Sequence, residues 1–301
     1  MSTQADAGPS SAARADAPTA VARTRPYLCS VRREIWENRS IWIAPLAAAG
    51  FVLFGVAISL IRHPHGMEKI SKASPAAQAA FHMIPYGIAI VAILITAAIV
   101  ALFYCLGTLY NERRDRSILF WKSMPVSDVT TVLAKASIPM VVLPLIAFVV
   151  ICATQLVMLL LNAAAATPFW SSVPLLRIWA LLVYGMVALV LWNAPICGWL
   201  LVLSAWAKRS PFLWAALPPL AIGIVEKLAF DTSYFWNFVQ YRLHGGFTEA
   251  FAPMPRHMKV FQWPEPDPAK FFSTPGLWLG LVAAAALFAL AIWLRRRREP
   301  M

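Results

Sequence analysis

The sequence predicts an all-α, polytopic membrane protein, a six-helix transmembrane bundle with an N-terminal interfacial amphipathic helix. Three observations predict it. Hydrophobic residues make up 60% of the 301 and charged residues only 13%, whereas a soluble domain is nearer half apolar and a quarter charged. The apolar residues are gathered into long blocks, each close to the roughly 20 residues a helix needs to cross a hydrocarbon core. The basic residues cluster at block ends, where they set membrane orientation. That placement also explains the net charge of +12 without nucleic acid, since no compact basic domain is present to dock on a duplex.

Residues 1–25 are rich in Ala, Ser, Thr and Pro and lack an apolar core. They read as a disordered cytoplasmic tail and not as a cleavable signal peptide. Residues 26–40 form the amphipathic helix. Leu28, Val31 and Ile35 fall on one face, with Tyr27 and Trp36 beside them. Their charged neighbours Arg32, Arg33, Glu34, Glu37 and Arg39 fall mostly on the other, as in a helix lying flat at an interface. The transmembrane domain then runs over 41–294.

The first span, 41–61, is bounded by Arg39 and Arg62. A polar stretch with His63, His65, Lys69 and Lys72 leads to the second, 84–110. A dense charged loop precedes the third span, 136–161, and a short Ala/Pro/Ser loop precedes the fourth, 178–206. Lys208, Arg209, Ser210 and Pro211 make a tight turn into the fifth, 212–230. From Phe212 to Val225 that block supplies about 21 Å of helix at 1.5 Å per residue, short of the roughly 30 Å core. Either it continues past Glu226 and Lys227 to Phe230, or it breaks and re-enters. Glu226 is the acid closest to membrane depth, which makes it the pathway candidate there; the competing role is an end residue paired with Lys227. An outer segment, 231–275, is aromatic and holds Pro253, Pro255, Pro264, Pro266 and Pro268; it reads as short interfacial helices and a Pro-rich lid, or as a loop packed on the bundle. The sixth span, 276–294, is stopped by a basic cytoplasmic tail, 295–301, opening with Arg295, Arg296, Arg297 and Arg298.

With both termini inside, 17 of the 26 Lys and Arg residues fall on cytoplasmic parts, so the N-in/C-in topology is expected. The intramembrane polar groups are mild: Thr96, Thr154, Gln155, Asn193 and Ser204. Pumps and ion-coupled transporters instead build relays of charged residues in their spans. Pro139, Pro144, Pro195, Pro218 and Pro219 lie within blocks and are either kinks or hinges.

Catalytic chemistry is not encoded in any local motif. A Gly-rich phosphate loop, an HExxH helix and a Gly-x-Ser-x-Gly elbow are all missing from the sequence. The five histidines, His63, His65, His82, His244 and His257, have no evident cysteine or carboxylate partner, and Cys29, Cys105, Cys152 and Cys197 lack the paired spacing of a zinc site. No catalytic, cofactor-binding or metal residue is therefore expected in this chain, and the cysteines are expected to be apolar packing residues.

The loop after the second span is different. It reads Leu109-Tyr110-Asn111-Glu112-Arg113-Arg114-Asp115-Arg116-Ser117-Ile118-Leu119-Phe120-Trp121-Lys122-Ser123-Met124-Pro125-Val126-Ser127-Asp128. A solvated connector would not expose Ile118, Leu119, Phe120 and Trp121, so the run suits burial against a partner or the membrane surface. Pro125 breaks the chain, and Ser127 or Asp128 can cap the helix that becomes the third span.

At this loop the chain resembles the permease subunits of ABC transporters, specifically the ABC-2 type. The amphipathic helix, the six spans and the long segment between spans five and six fit the same layout. The resemblance implies a non-catalytic, membrane-spanning half-transporter of an ATP-driven exporter in the plasma (bacterial inner) membrane. It would form the translocation pathway, paired with a second permease copy or a related permease and with a cytoplasmic ATP-binding subunit that holds ATP and Mg. Coupling to that subunit would fall to Glu112, Arg113, Arg116, Phe120, Trp121, Ser123, Pro125, Ser127 and Asp128, assisted by Leu28, Val31, Ile35 and Trp36. The short fifth block with Glu226 departs from that pattern. Other classes stay open on the residues alone: a non-transporting anchor or regulatory subunit, a membrane-embedded enzyme, or a channel or secondary transporter. The residues name neither the substrate nor the direction of transport.

Overall fold

Long apolar runs with few charges leave the backbone one way to satisfy its polar groups in lipid, which is helix. The computed structural model describes residues 26–62, 75–116, 126–164, 173–253 and 263–297. Among these the elements are α1 (Pro26–Glu37), α2 (Ser40–Arg62), α3 (Pro75–Arg114), α4 (Asp128–Ser137), a π-helical turn (Ile138–Val142), α5 (Leu143–Ala164), α6 (Leu175–Trp206), α7 (Pro211–Phe230), α8 (Tyr234–Ala250), α9 (Pro268–Ser273) and α10 (Pro275–Arg297). Six stretches are long and apolar enough to cross a membrane: Ser40–Arg62, Met83–Arg114, Asp128–Ala163, Leu175–Trp206, Pro211–Phe230 and Pro275–Arg297. The chain is an all-α, multi-pass membrane protein.

The tail 1–25, the histidine-bearing stretch 63–74, the loop residues 117–125, residues 254–262 of the Pro-rich segment and the last four residues lie outside the described residues.

Spans one to four share the main core. Ile41 and Ala49 of α2, Ile93, Ala97 and Cys105 of α3, Ile138 of the π turn, Ala147 and Ile151 of α5, and Leu182 and Met186 of α6 are buried together. The sixth span packs most extensively on the fourth. A Cβ at Gly198 would lie 2.9 Å from Leu287 and 3.5 Å from the Ala284 carbonyl, so the small residue is what lets α6 and α10 approach.

The third span is interrupted by its π turn, which holds Pro139. Proline has no N–H to give the helical ladder, and a π turn accommodates the local break. By contrast α7 runs unbroken through Pro218 and Pro219 to Phe230. Its 20 residues make about 30 Å of helix, so the fifth block is complete and does not re-enter. Ser210 (φ 44°) and Asp231 (φ 50°) flank it in the left-handed region, giving abrupt turns at both ends. None of the apolar window of α7 is buried, so the helix lies along the outside of the bundle.

The described part of the segment after α7 is largely helical, in keeping with the short helices expected there. Its main part is α8, a helix of 17 residues laid against α6. The indole of Trp192, 0% exposed, fills the space above Gly245 and Gly246. A Cβ at Gly246 would come within 2.8 Å of that ring, so glycine is required there by contact.

Candidate functional site

The most unusual chemistry among the described residues is a cluster of buried charges where α1, α3, α4 and α10 meet. Each member comes from a helix end. Glu34 and Arg33 sit on α1, Glu112 and Arg113 on the last turn of α3, Asp128 and Lys135 on α4, and Arg295 on the last turn of α10. Glu34 and Lys135 are each only 2% exposed, Arg113 3% and Arg295 4%. Isolated charges so placed would be costly, and they persist because each is paired.

The Lys135 ammonium lies 2.7 Å from Glu34 Oε1 and 3.0 Å from Glu112 Oε1, and donates to Thr108 Oγ1 at 2.9 Å. Arg295 reaches two carboxylates, Glu112 Oε2 at 2.6 Å and Asp128 Oδ1 at 3.0 Å. Arg33 adds Glu34 Oε1 at 2.8 Å. The second oxygen of Glu34 accepts from the Tyr104 hydroxyl at 2.8 Å. Three carboxylates thus meet three cations. The fourth cation, Arg113, donates to the Ser204 and Ala207 carbonyls at 2.9 and 2.6 Å. Those groups close the C-terminal end of α6, where a cation complements the helix dipole. Ser204 Oγ in turn accepts from the Leu109 and Tyr110 amides of α3. Burial pushes the Glu34 carboxyl up, but Lys135, with hydrogen bonds from Tyr104 and Arg33, pulls harder, and the group titrates below its ordinary range.

The hub extends one sequence expectation and corrects two. The helix that becomes the third span starts at Asp128 with Ser127 as its cap, as those residue types predict, so Lys135 lies inside it, ahead of the apolar block from 136. Arg295 is not the first residue of a solvated tail, because α10 continues to Arg297 and folds Arg295 inward. The charged face of α1 is not uniformly solvated, since Glu34 is buried. On the apolar face Val31 and Ile35 pack against the core, whereas Leu28 is half exposed and Trp36 is 70% exposed beneath the Arg32 guanidinium.

Of the loop residues, Glu112, Arg113 and Asp128 are brought together in the hub. Ser127 is the cap of α4, its Oγ accepting from the Thr130 amide at 3.1 Å. Arg116 is exposed with a left-handed φ of 56°. Phe120, Trp121, Ser123 and Pro125 lie outside the described residues.

Glu226 lies apart from the hub. Its carboxylate accepts from the Tyr234 and Phe235 amides at 2.7 and 2.9 Å and from the Thr232 hydroxyl at 3.0 Å, so it caps α8 from the preceding helix. Lys227 pairs with Asp231 at 2.6 Å, not with Glu226.

Arg242 is a residue that pattern reading passed over. Its guanidinium donates to the carbonyls of Trp192 and Gly276 and lies 4.8 Å from the Trp192 ring centroid. The Trp192 carbonyl is one position along from Leu191, whose carbonyl Pro195 cannot serve. Among the described residues no carboxylate pairs with Arg242. A side chain at Gly280 would collide with it.

Compared with known protein families, curated proteins and solved structures, the chain matches none.

Proposed function

We propose that the chain is the membrane-spanning permease subunit of an ATP-driven exporter of the ABC-2 type, with both termini cytoplasmic and the ATPase on a separate chain. The observation that carries this reading is the position of the hub. Glu112 and Asp128 flank the apolar, charge-bordered loop on its two sides, and Arg295 bridges both of them. Lys135 ties the same Glu112 to Glu34 on α1. A partner that grips the loop therefore moves the ends of spans two, three and six and the amphipathic helix as one block. That is what a subunit needs if nucleotide binding elsewhere is to shift its equilibrium between two states. The intramembrane polar groups that are described turn inward on their own helices or on neighbours, as Thr154 does on the Val150 carbonyl and Gln155 on the Trp179 indole, so no relay of charges competes with this reading.

The test is co-purification. The full-length protein is tagged, extracted in mild detergent beside a Phe120→Asp/Trp121→Asp variant, and its companions identified. An ATP-binding subunit that comes down with the wild type and is lost with the variant supports the permease reading. A wild type that carries no ATPase under conditions that preserve membrane complexes refutes it. Stimulation of the captured ATPase by a transported compound separates a permease from a non-transporting anchor.

A further inference from the structure

We infer that the groove between α6, α7 and α10 is a binding site for one anionic phospholipid, with an acyl chain in the groove and the phosphate at Lys208, Arg209 and Arg297. The groove has a volume of about 340 Å³ and is walled by Trp199, Trp206, Trp214, Pro218, Leu290 and Leu294, within the size range of small-ligand sites. Trp206 and Trp214 meet edge to face at 4.9 Å and form its wall at one end of the bundle. Beyond them the chemistry changes at once. Lys208 and Arg209 follow Trp206 in the turn to α7. Arg297 lies one helical turn beyond Leu294 on the same face of α10, its guanidinium 4.5 Å from the Trp293 ring centroid.

These three cations are exposed, and among the described residues none has a carboxylate partner, although Arg295 beside them is fully paired in the hub. An apolar slot with indoles at its mouth and unneutralised cations just outside matches an amphiphile with an anionic head, because each part meets its own solvent. A second copy of the chain fits less well. Helices that associate in lipid use small residues for close approach, as α6 and α10 do at Gly198, whereas this groove presents bulky rings and branched chains. Two-fold pairing would also bring like charges of both copies to the same patch.

The experiment uses the full-length protein in mild detergent, offered equimolar phosphatidylglycerol and phosphatidylcholine and read by native mass spectrometry. The wild type is expected to retain one phosphatidylglycerol with roughly tenfold preference over phosphatidylcholine. Lys208→Gln/Arg209→Gln/Arg297→Gln, confined to exposed side chains, is expected to lose that preference. Leu290→Trp, which fills the groove and leaves the cations, is expected to lose the bound lipid. Equal retention of both lipids by the wild type overturns the proposal. So does a bound phosphatidylglycerol that survives Leu290→Trp, which would make the attraction a surface effect of the cations alone. A lipid-free wild-type dimer that Leu290→Trp converts to monomer overturns it in favour of a second copy. Should Leu290→Trp fail to fold, the wild type decides alone. A trace of phosphatidylglycerol brominated on its acyl chain should quench tryptophan fluorescence in phosphatidylcholine nanodiscs more than brominated phosphatidylcholine does, and equal quenching overturns the proposal.

Discussion

Among the described residues, the hub buries cations and the junction of α6, α8 and α10 half-buries one, and the two solve the same problem differently. In the hub, Lys135 and Arg295 are met by carboxylates from other helices. At the α6–α8–α10 junction, Arg242 is met by two carbonyls and the face of an indole. The first arrangement ties four helix ends with charge, and removing one member leaves another charge stranded. The second holds three helices by shape, with glycines at 245, 246 and 280 making room. The hub should therefore respond to charge changes and to pH, and the junction to volume.

The largest expected effect is at Glu34. Glu34→Gln removes half the charge around Lys135 and should destabilise the protein by about 3 kcal/mol, because breaking a buried pair leaves its partner uncompensated. Adding Lys135→Met should restore most of that loss. Thermal unfolding in detergent, followed by fluorescence, checks both. A double variant no more stable than the single would mean that the hub works through packing and not charge.

This contrast also separates what the sequence revealed from what it hid. Five of the six spans were legible because each is a run of apolar residues of bilayer length, whereas the fifth was legible only as far as Val225, with its continuation to Phe230 open. The cap of the third span at Ser127 was legible as well, but the burial of Lys135 within that helix was not. A count of apolar residues stops at Lys135, and the charge that neutralises it, Glu34, is 101 positions away. Arg295 misled in the same way, since a terminal arginine run reads as an orientation signal whether or not its first member folds inward. Glu112, Arg113 and Asp128 were found because they flank an apolar run, a local pattern. Their partners were missed because pairing across helices leaves no periodic trace. The Gly245–Gly246 pair gave no local signal of its role, and it is the Trp192 ring that explains glycine there within a helix.

At the junction, Gly246→Val should cost about 1–3 kcal/mol by overpacking against Trp192. Trp192→Leu placed beside it should recover part of that by vacating the space. The same pair of variants should leave the acid sensitivity of the protein unchanged, which distinguishes the junction from the hub. A Gly246→Val protein with wild-type thermal stability would show that α8 is not held by this contact.

Acid tests the hub directly. The folded-state value of Glu34 lies below its ordinary 4.5, so the unfolded chain binds protons more readily over that interval. The contribution of Glu34 is fully present above the ordinary value and is lost as pH falls through the folded one. The unfolding midpoint of the wild type should drop as pH is lowered from neutral to about 3, and Glu34→Gln should flatten that drop. Identical profiles for the two proteins would remove Glu34 from the acid response.

The smallest expected effect is at Glu226, and it decides between two roles for that residue. As a cap, its carboxylate accepts from the Tyr234 and Phe235 amides. Glu226→Gln keeps one of the two accepting oxygens and should cost less than Glu226→Ala, which should cost about 1 kcal/mol by leaving the first turn of α8 without its acceptor. Lys227→Ala, at an exposed pair with Asp231, should cost less than Glu226→Ala, since surface pairs typically contribute well under about 1 kcal/mol. An acid in a translocation path would show the reverse ranking in transport. There the loss of charge in Glu226→Gln would stop export while the thermal midpoint stayed where it was. The cap predicts that Glu226→Gln acts through stability alone, because the structural task of that side chain is to accept hydrogen bonds, of which the glutamine oxygen keeps a part.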